Sequence, residues 1–235
     1  MSLSEDGTRS ELGVVREIVF ELMLAAATLT SWPALDQRST GEAVQRACAM
    51  VFLPIVGLVF GVILALVDRA LGATLGPLSR SAMVVAIAIL ATKGLYPAGV
   101  AHMVGELRGG RRPSWTGLTE VGPAGALAAL AFVALEIYLL GAIAHPPARA
   151  RAIVLAVMLS RWAIVPTAIG LKPLGRFGLG VPYEGGIKFR DFALASVIAL
   201  GLAMGLYEVI AIAAIAAVAI TILVLRLLFS RRLGG

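Results

Sequence analysis

The chain has 235 residues, 59% of them hydrophobic and only 14% charged, with a formal net charge of +6. A soluble core of this size cannot hide so much apolar surface, which excludes an ordinary soluble domain. The positive charge does not indicate nucleic acid, because the basic residues fall in short clusters between apolar runs, as the positive-inside rule requires.

The first residues are polar and carry acids, unlike the basic start of a secretion signal. The apolar stretch 18–29, interrupted by Glu21, reads as an uncleaved amphipathic helix lying at the membrane surface. A bilayer core of about 30 Å needs roughly 20 apolar residues per spanning helix. Residues 51–71, 81–101, 122–144 and 150–170 meet that length, and a longer tract follows over 192–228. Gly201, Gly205, Tyr207 and Glu208 mark the polar and flexible middle of that tract, so it divides near Glu208. The expected architecture is an all-α polytopic bundle of about six spans in contact with the lipid bilayer. It has a polar tail over 1–13 and a single transmembrane domain over 14–235. Gly57 with Gly61, and Gly201 with Gly205, are spaced to let helix backbones approach closely.

Lysine and arginine are unevenly divided between the two sides of such a bundle. One side holds Arg9, Arg16, Arg38 and Arg46, the cluster Arg108, Arg111 and Arg112, and then Lys172, Arg176, Lys188 and Arg190. The terminal arginines Arg226, Arg231 and Arg232 join them, whereas Arg69, Arg80, Arg149 and Arg151 fall opposite. The imbalance predicts an inner-membrane protein with both termini in the cytoplasm. It also agrees with an even number of spans.

Charges within spans need a partner or a wet cavity. Glu136 and Arg161 lie on consecutive antiparallel helices, each roughly 12–16 Å from the non-cytoplasmic end. They are expected to meet at one depth, either as a structural ion pair or as an anion site in which Glu136 orients Arg161. A second polar group, Lys93, Tyr96, Pro97, His102 and Glu106, falls near the cytoplasmic end of the second span. His102 and Glu106 are four apart and share a helical face, but two ligands are too few for a metal centre. The loop from Arg108 to Arg112 is basic and flexible, suited to phosphates or to anionic lipid. Cys48 is the single cysteine, so neither an intramolecular disulfide nor a cysteine-based metal site is available. No Walker A loop, dinucleotide fingerprint, nucleophile elbow or zinc-protease helix is present.

Four further segments carry a resemblance. They are Leu29-Thr30-Ser31-Trp32-Pro33, the run from Leu53 to Gly61, Ser160-Arg161, and the run from Gly178 to Tyr183. In order and interval they resemble the L-T-R-L-P, F-P-L-V-G-L-L-L-G, Ser-Arg and G-L-G-x-x-F segments of the cobalamin synthase family. These are membrane-embedded adenosylcobinamide-GDP ribazoletransferases. The resemblance implies a transferase that joins a ribazole hydroxyl to a GDP-activated corrinoid and releases GMP, the last step of nucleotide-loop assembly.

That family's signature, G-G-x-H-x-D-G-L-A-D-x-x-D-G, carries aspartates associated with Mg²⁺ and the diphosphate. The corresponding stretch here runs from Lys93 to Glu106 and keeps Gly94, Gly99 and Ala101, while the aspartate positions hold Ala98, His102 and Gly105. A second family segment, D-S-R-x-G, is reduced to Leu118-Thr119-Glu120-Val121-Gly122. If the chain is active, the resemblance implies Lys93, His102, Glu106 and Glu120 as catalytic residues. Mg²⁺ would then be the cofactor, with Glu106 and Glu120 as its carboxylates. It implies Ser160, Arg161, Arg108, Gly178 and Gly180 as substrate-binding residues for a corrinoid or nucleotide-activated substrate. The loss of the aspartates raises a second expectation, a catalytically inactive paralogue that serves as a corrinoid-binding or assembly partner, with oligomers compatible. A small transporter is a third, disfavoured because no inverted repeat is visible.

Overall fold

The computed structural model describes residues 50–109, 122–168 and 188–233, with side chains over 50–105, 122–167 and 188–228. Among them every element is helical. A single 3₁₀ turn, Met50–Phe52, leads into α1 (Leu53–Leu71), followed by α2 (Pro77–Ala91) and α3 (Leu95–Gly109). After these come α4 (Pro123–Ala142), α5 (Pro146–Ala168) and α6 (Phe189–Leu233). Proline stands in the first turn of α1, α2, α4 and α5, where its missing N–H costs nothing and its fixed φ favours the helix. The expected interfacial helix over 18–29 lies outside the described residues.

Four helices are long and apolar enough to cross a membrane: Met50–Leu71, Pro123–Ala142, Pro146–Thr167 and Phe189–Leu228. A fifth crossing is available if α2 and α3 together form one span. The expected unbroken span over 81–101 is therefore corrected, because α2 and α3 meet at a bend of 84°. The reason is local. Lys93 and Gly94 both take positive φ, 51° and 71°. The Gly94 N–H donates to the Ile89 carbonyl at 2.8 Å and the Lys93 N–H to the Leu90 carbonyl at 3.1 Å. That paired closure is a Schellman motif, which ends a helix.

Where the sequence places a division near Glu208, the last helix consists of two segments across a kink at that residue, with φ 46° and ψ −124°. A straight helix of 40 residues would rise about 60 Å, twice the hydrocarbon core. On the far side of the kink, Ala211 is fully buried in the same cluster as Met50, Leu53 and Ala203.

Helices α1 and α5 form the closest pair. A Cβ added at Gly57 would sit 2.9 Å from the Met158 Cα, and one at Gly61 would sit 2.9 Å from the Val154 Cα. No side chain fits between these backbones, as the glycine spacing predicts. The same spacing at Gly201 and Gly205 does not repeat the result, since a Cβ at either position meets nothing within 4 Å. The first half of α6 instead packs through Ala195, Ala199 and Ala203 onto Leu155, Met158, Leu159 and Trp162. Outward faces of α4 and α6 carry exposed Leu127, Leu130, Val197 and Leu223, as lipid contact requires.

Candidate functional site

Two polar groupings occupy the bundle at different heights. The first joins the short turn between α1 and α2 to the short turn between α4 and α5. Arg149, fully buried, donates from Nε to the two Asp68 carboxylate oxygens at 2.9 and 3.1 Å. Its Nη2 donates to Ser81 Oγ at 2.8 Å, and its Nη1 donates to the Leu140 carbonyl. Arg80 Nε adds an ion pair to Asp68 at 3.2 Å, though without hydrogen-bond alignment. One guanidinium thus binds all four helices whose ends meet there. Such satisfaction is what a buried charge needs to be tolerated.

Sequence reasoning counted Arg80 and Arg149 only as topology charges and passed over Asp68. The available signal was an acid one turn before the end of α1 and a base one turn after the start of α5, both just inside their helices.

The second grouping surrounds a cavity of about 420 Å³ bounded by α1, α2, α3, α4 and α5. Most of its wall is apolar, including Phe60, Leu64, Val84, Phe132, Leu140, Ile153 and Val157. Tyr96, Glu136, Ser160 and Arg161 supply a polar side, and Thr92 closes its hydroxyl onto carbonyls of its own helix. Tyr96 and Glu136 both line this side, and the Tyr96 ring meets Phe132 edge to face at 6.3 Å between centroids. Arg161 Nη1 donates to Ser160 Oγ at 3.3 Å, while that hydroxyl donates to the Val157 carbonyl at 2.9 Å.

Glu136 and Arg161 therefore share a cavity, but no ion pair among the described residues joins them. Helix boundaries explain the correction. Because α5 begins at Pro146, Arg161 lies about 22 Å of helix rise from that end, whereas Glu136 lies only about 9 Å from the end of α4. The two are offset along the bundle, and Tyr96 from α3 lines the same cavity. Tyr96 stands at the histidine position of the motif quoted above. It belonged to the polar group read from the sequence but was not linked there to Glu136.

Of the other candidates, Ser160 lines the cavity beside Arg161. Lys93 is exposed at the bend and His102 is half-buried on α3; neither is among the residues lining the cavity. Glu106 and Arg108 belong to α3, but their side chains lie outside the described residues, as do Glu120, Gly178 and Gly180 entirely. Among the described residues no three acids, histidines or cysteines gather as a metal would need. The stretch that would carry the carboxylates presents a methyl group at Ala98, an imidazole at His102 and no side chain at Gly105. Mg²⁺ prefers carboxylate and phosphate oxygens. Those three positions offer it no carboxylate.

Comparison with known proteins adds the remaining finding. The family model described as cobalamin-5-phosphate synthase matches residues 21–235. The chain is 31% identical over 196 residues to an adenosylcobinamide-GDP ribazoletransferase from Synechococcus elongatus, covering 80% of this chain and 76% of that one. It is also 31% identical over 194 residues to the enzyme of that description from Roseiflexus sp., covering 78% and 69%. No solved structure gives a significant match.

Proposed function

Because the chain belongs to the cobalamin-5-phosphate synthase family, we propose that it is a corrinoid-binding membrane member of that family which has lost the metal-assisted transfer step. The observation that carries the reading is the trio Ala98, His102 and Gly105 at the aspartate positions of the family motif. Transfer at a diphosphate gathers negative charge on its oxygens, and Mg²⁺ would neutralise that charge when bound. A neutral imidazole between an alanine and a glycine cannot hold a hard dication. What supports retained binding is that the Ser160–Arg161 pair of the family resemblance is present and lines the cavity. Counting the bent pair once and α6 as two passes gives six crossings. That even number and the lysine and arginine imbalance support a reading with both termini in the cytoplasm of an inner-membrane protein.

The test uses membranes carrying the full chain, supplied with adenosylcobinamide-GDP, ribazole and Mg²⁺. GMP release is expected to stay at the level of membranes without the chain. Purified protein in detergent is expected to retain adenosylcobinamide through size exclusion. GMP release above the control would restore the transferase reading, and failure to retain any corrinoid would remove the binding one.

A further inference from the structure

Arg161 stands on the face of α5 that packs against α1. Val154, Met158 and Arg161 recur at intervals of four and three residues, so they share one side of the helix. Gly61 and Gly57 of α1 face the first two. A side chain on such a face ordinarily ends within the helix contact. Arg161 instead lines the cavity bounded by α1, α2, α3, α4 and α5, so its stem must run past α1.

The place of passage is Gly57. A Cβ added there would lie 3.0 Å from the Arg161 Cγ, as well as 2.9 Å from the Met158 Cα and 3.0 Å from the Val157 carbonyl oxygen. Not even one carbon fits between the α1 backbone and the arginine stem. At the other end, Arg161 Nη1 donates to Ser160 Oγ at 3.3 Å, and that hydroxyl donates to the Val157 carbonyl at 2.9 Å. The arginine is thus held under its stem by bare backbone and at its head by an anchored hydroxyl. Gly61, one turn on, provides the contrast. A Cβ there would lie 2.9 Å from the Val154 Cα, 3.1 Å from the Val154 carbonyl oxygen and 3.4 Å from the Val157 Cβ. Both glycines admit the α5 backbone, and Gly57 in addition lies under the Arg161 stem.

We propose that Gly57 is a positioning residue of the binding site: its missing side chain lets the Arg161 stem lie across α1 and fixes where the guanidinium enters the cavity. A long stem loses rotamer freedom when a ligand fixes it, and a stem already confined loses less. The inference rests on the corrinoid-binding reading for what the arginine holds, but not for how the arginine is placed.

The tests use purified full-length protein in a non-ionic detergent, with Gly57→Ala compared throughout to Gly61→Ala. Both substitutions meet the α5 backbone at 2.9 Å, so they share whatever that conflict costs. Modification by phenylglyoxal, followed peptide by peptide by mass spectrometry, reads the placement of Arg161 without any ligand. Gly57→Ala is expected to change the rate at Arg161, and Gly61→Ala to leave it as in the wild type. Retention of adenosylcobinamide reads the consequence. Gly57→Ala is expected to weaken it by about tenfold, as loss of one charge-assisted contact implies, and Gly61→Ala far less. In an Arg161→Gln background the loss caused by Gly57→Ala is expected to vanish, because the glycine acts through the arginine.

Equal effects of the two glycine substitutions on Arg161 reactivity, or a Gly57→Ala loss that persists beside Arg161→Gln, would overturn the proposal. If Gly57→Ala alone yields no folded protein, adding Arg161→Ala is expected to restore folding, and failure to do so overturns it equally. A wild-type chain that retains no corrinoid removes the binding reading, while the phenylglyoxal rates still decide whether Gly57 places Arg161.

Discussion

Arg149 and Arg161 lie on the same helix, less than four turns apart, and the bundle treats them in opposite ways. Arg149 has every direction of its guanidinium occupied by Asp68, Ser81 and the Leu140 carbonyl. Arg161 has one neighbouring hydroxyl and a cavity. The first is bound by three neighbouring helices that cannot move without breaking a charge-assisted bond. The second is held in place while its charge is left unmatched. The contrast separates an arginine whose partners are all supplied by the fold from one that lines a cavity.

The most severe way to break that comparison is to truncate each arginine. Arg149→Ala leaves Asp68 buried beside Arg80 alone, and removing one partner of a buried pair costs about 3–5 kcal/mol. Unfolding of the purified protein by SDS titration should shift by that amount, with loss of the helical hairpin ends. Arg161→Ala removes a charge with no acid partner, so the same titration should show little change or a gain. Equal destabilisation by the two would mean that Arg161 is also structural, and the distinction would fail.

A smaller effect is expected where α1 meets α5. Replacing Gly57 or Gly61 with leucine drives a side chain into a backbone that already lies 2.9 Å from the added Cβ. Overpacking of this kind costs roughly 1–3 kcal/mol. The identical changes at Gly201 and Gly205 should be tolerated, because nothing lies within 4 Å of the added atom. The SDS midpoints of the four variants would read the difference directly.

These two glycine pairs also show what the sequence could and could not carry. Their spacing is the same, so the capacity for close approach was legible at both, but the partner that uses it was not. The apolar lengths placed α1, α4 and α5 to within a few residues, because hydrocarbon thickness fixes them. Glu208 was legible as a break since a charge interrupts an otherwise apolar tract too long for one crossing. The bend at Lys93 was not, because lysine is an unremarkable helix former and nothing in its composition announces a left-handed backbone. Consequently Tyr96 was read as part of a solvated helix end, when it lines the cavity together with Glu136. Asp68 with Arg149 escaped for a further reason. Long-range pairs across two turns have no period that a single chain displays.

The smallest expected effect concerns that bend, and it sharpens the comparison from the other side. Lys93 holds φ 51° at the helix-ending position where glycine is ordinarily found, and the family motif has glycine there. A left-handed backbone costs a side chain-bearing residue about 1–2 kcal/mol relative to glycine. Lys93→Gly should therefore raise the SDS midpoint by about 1 kcal/mol, somewhat offset by the greater freedom of glycine in the unfolded chain. Lys93 is exposed, so its amine gains no buried contact that would repay the strain. A residue kept at a strained position without packing to hold it is a candidate for function. If the glycine variant is more stable yet retains less corrinoid, the lysine serves binding rather than the fold. If the variant is less stable, Lys93 takes part in a contact that fixes the bend, and it belongs with Arg149 among the residues that build the fold.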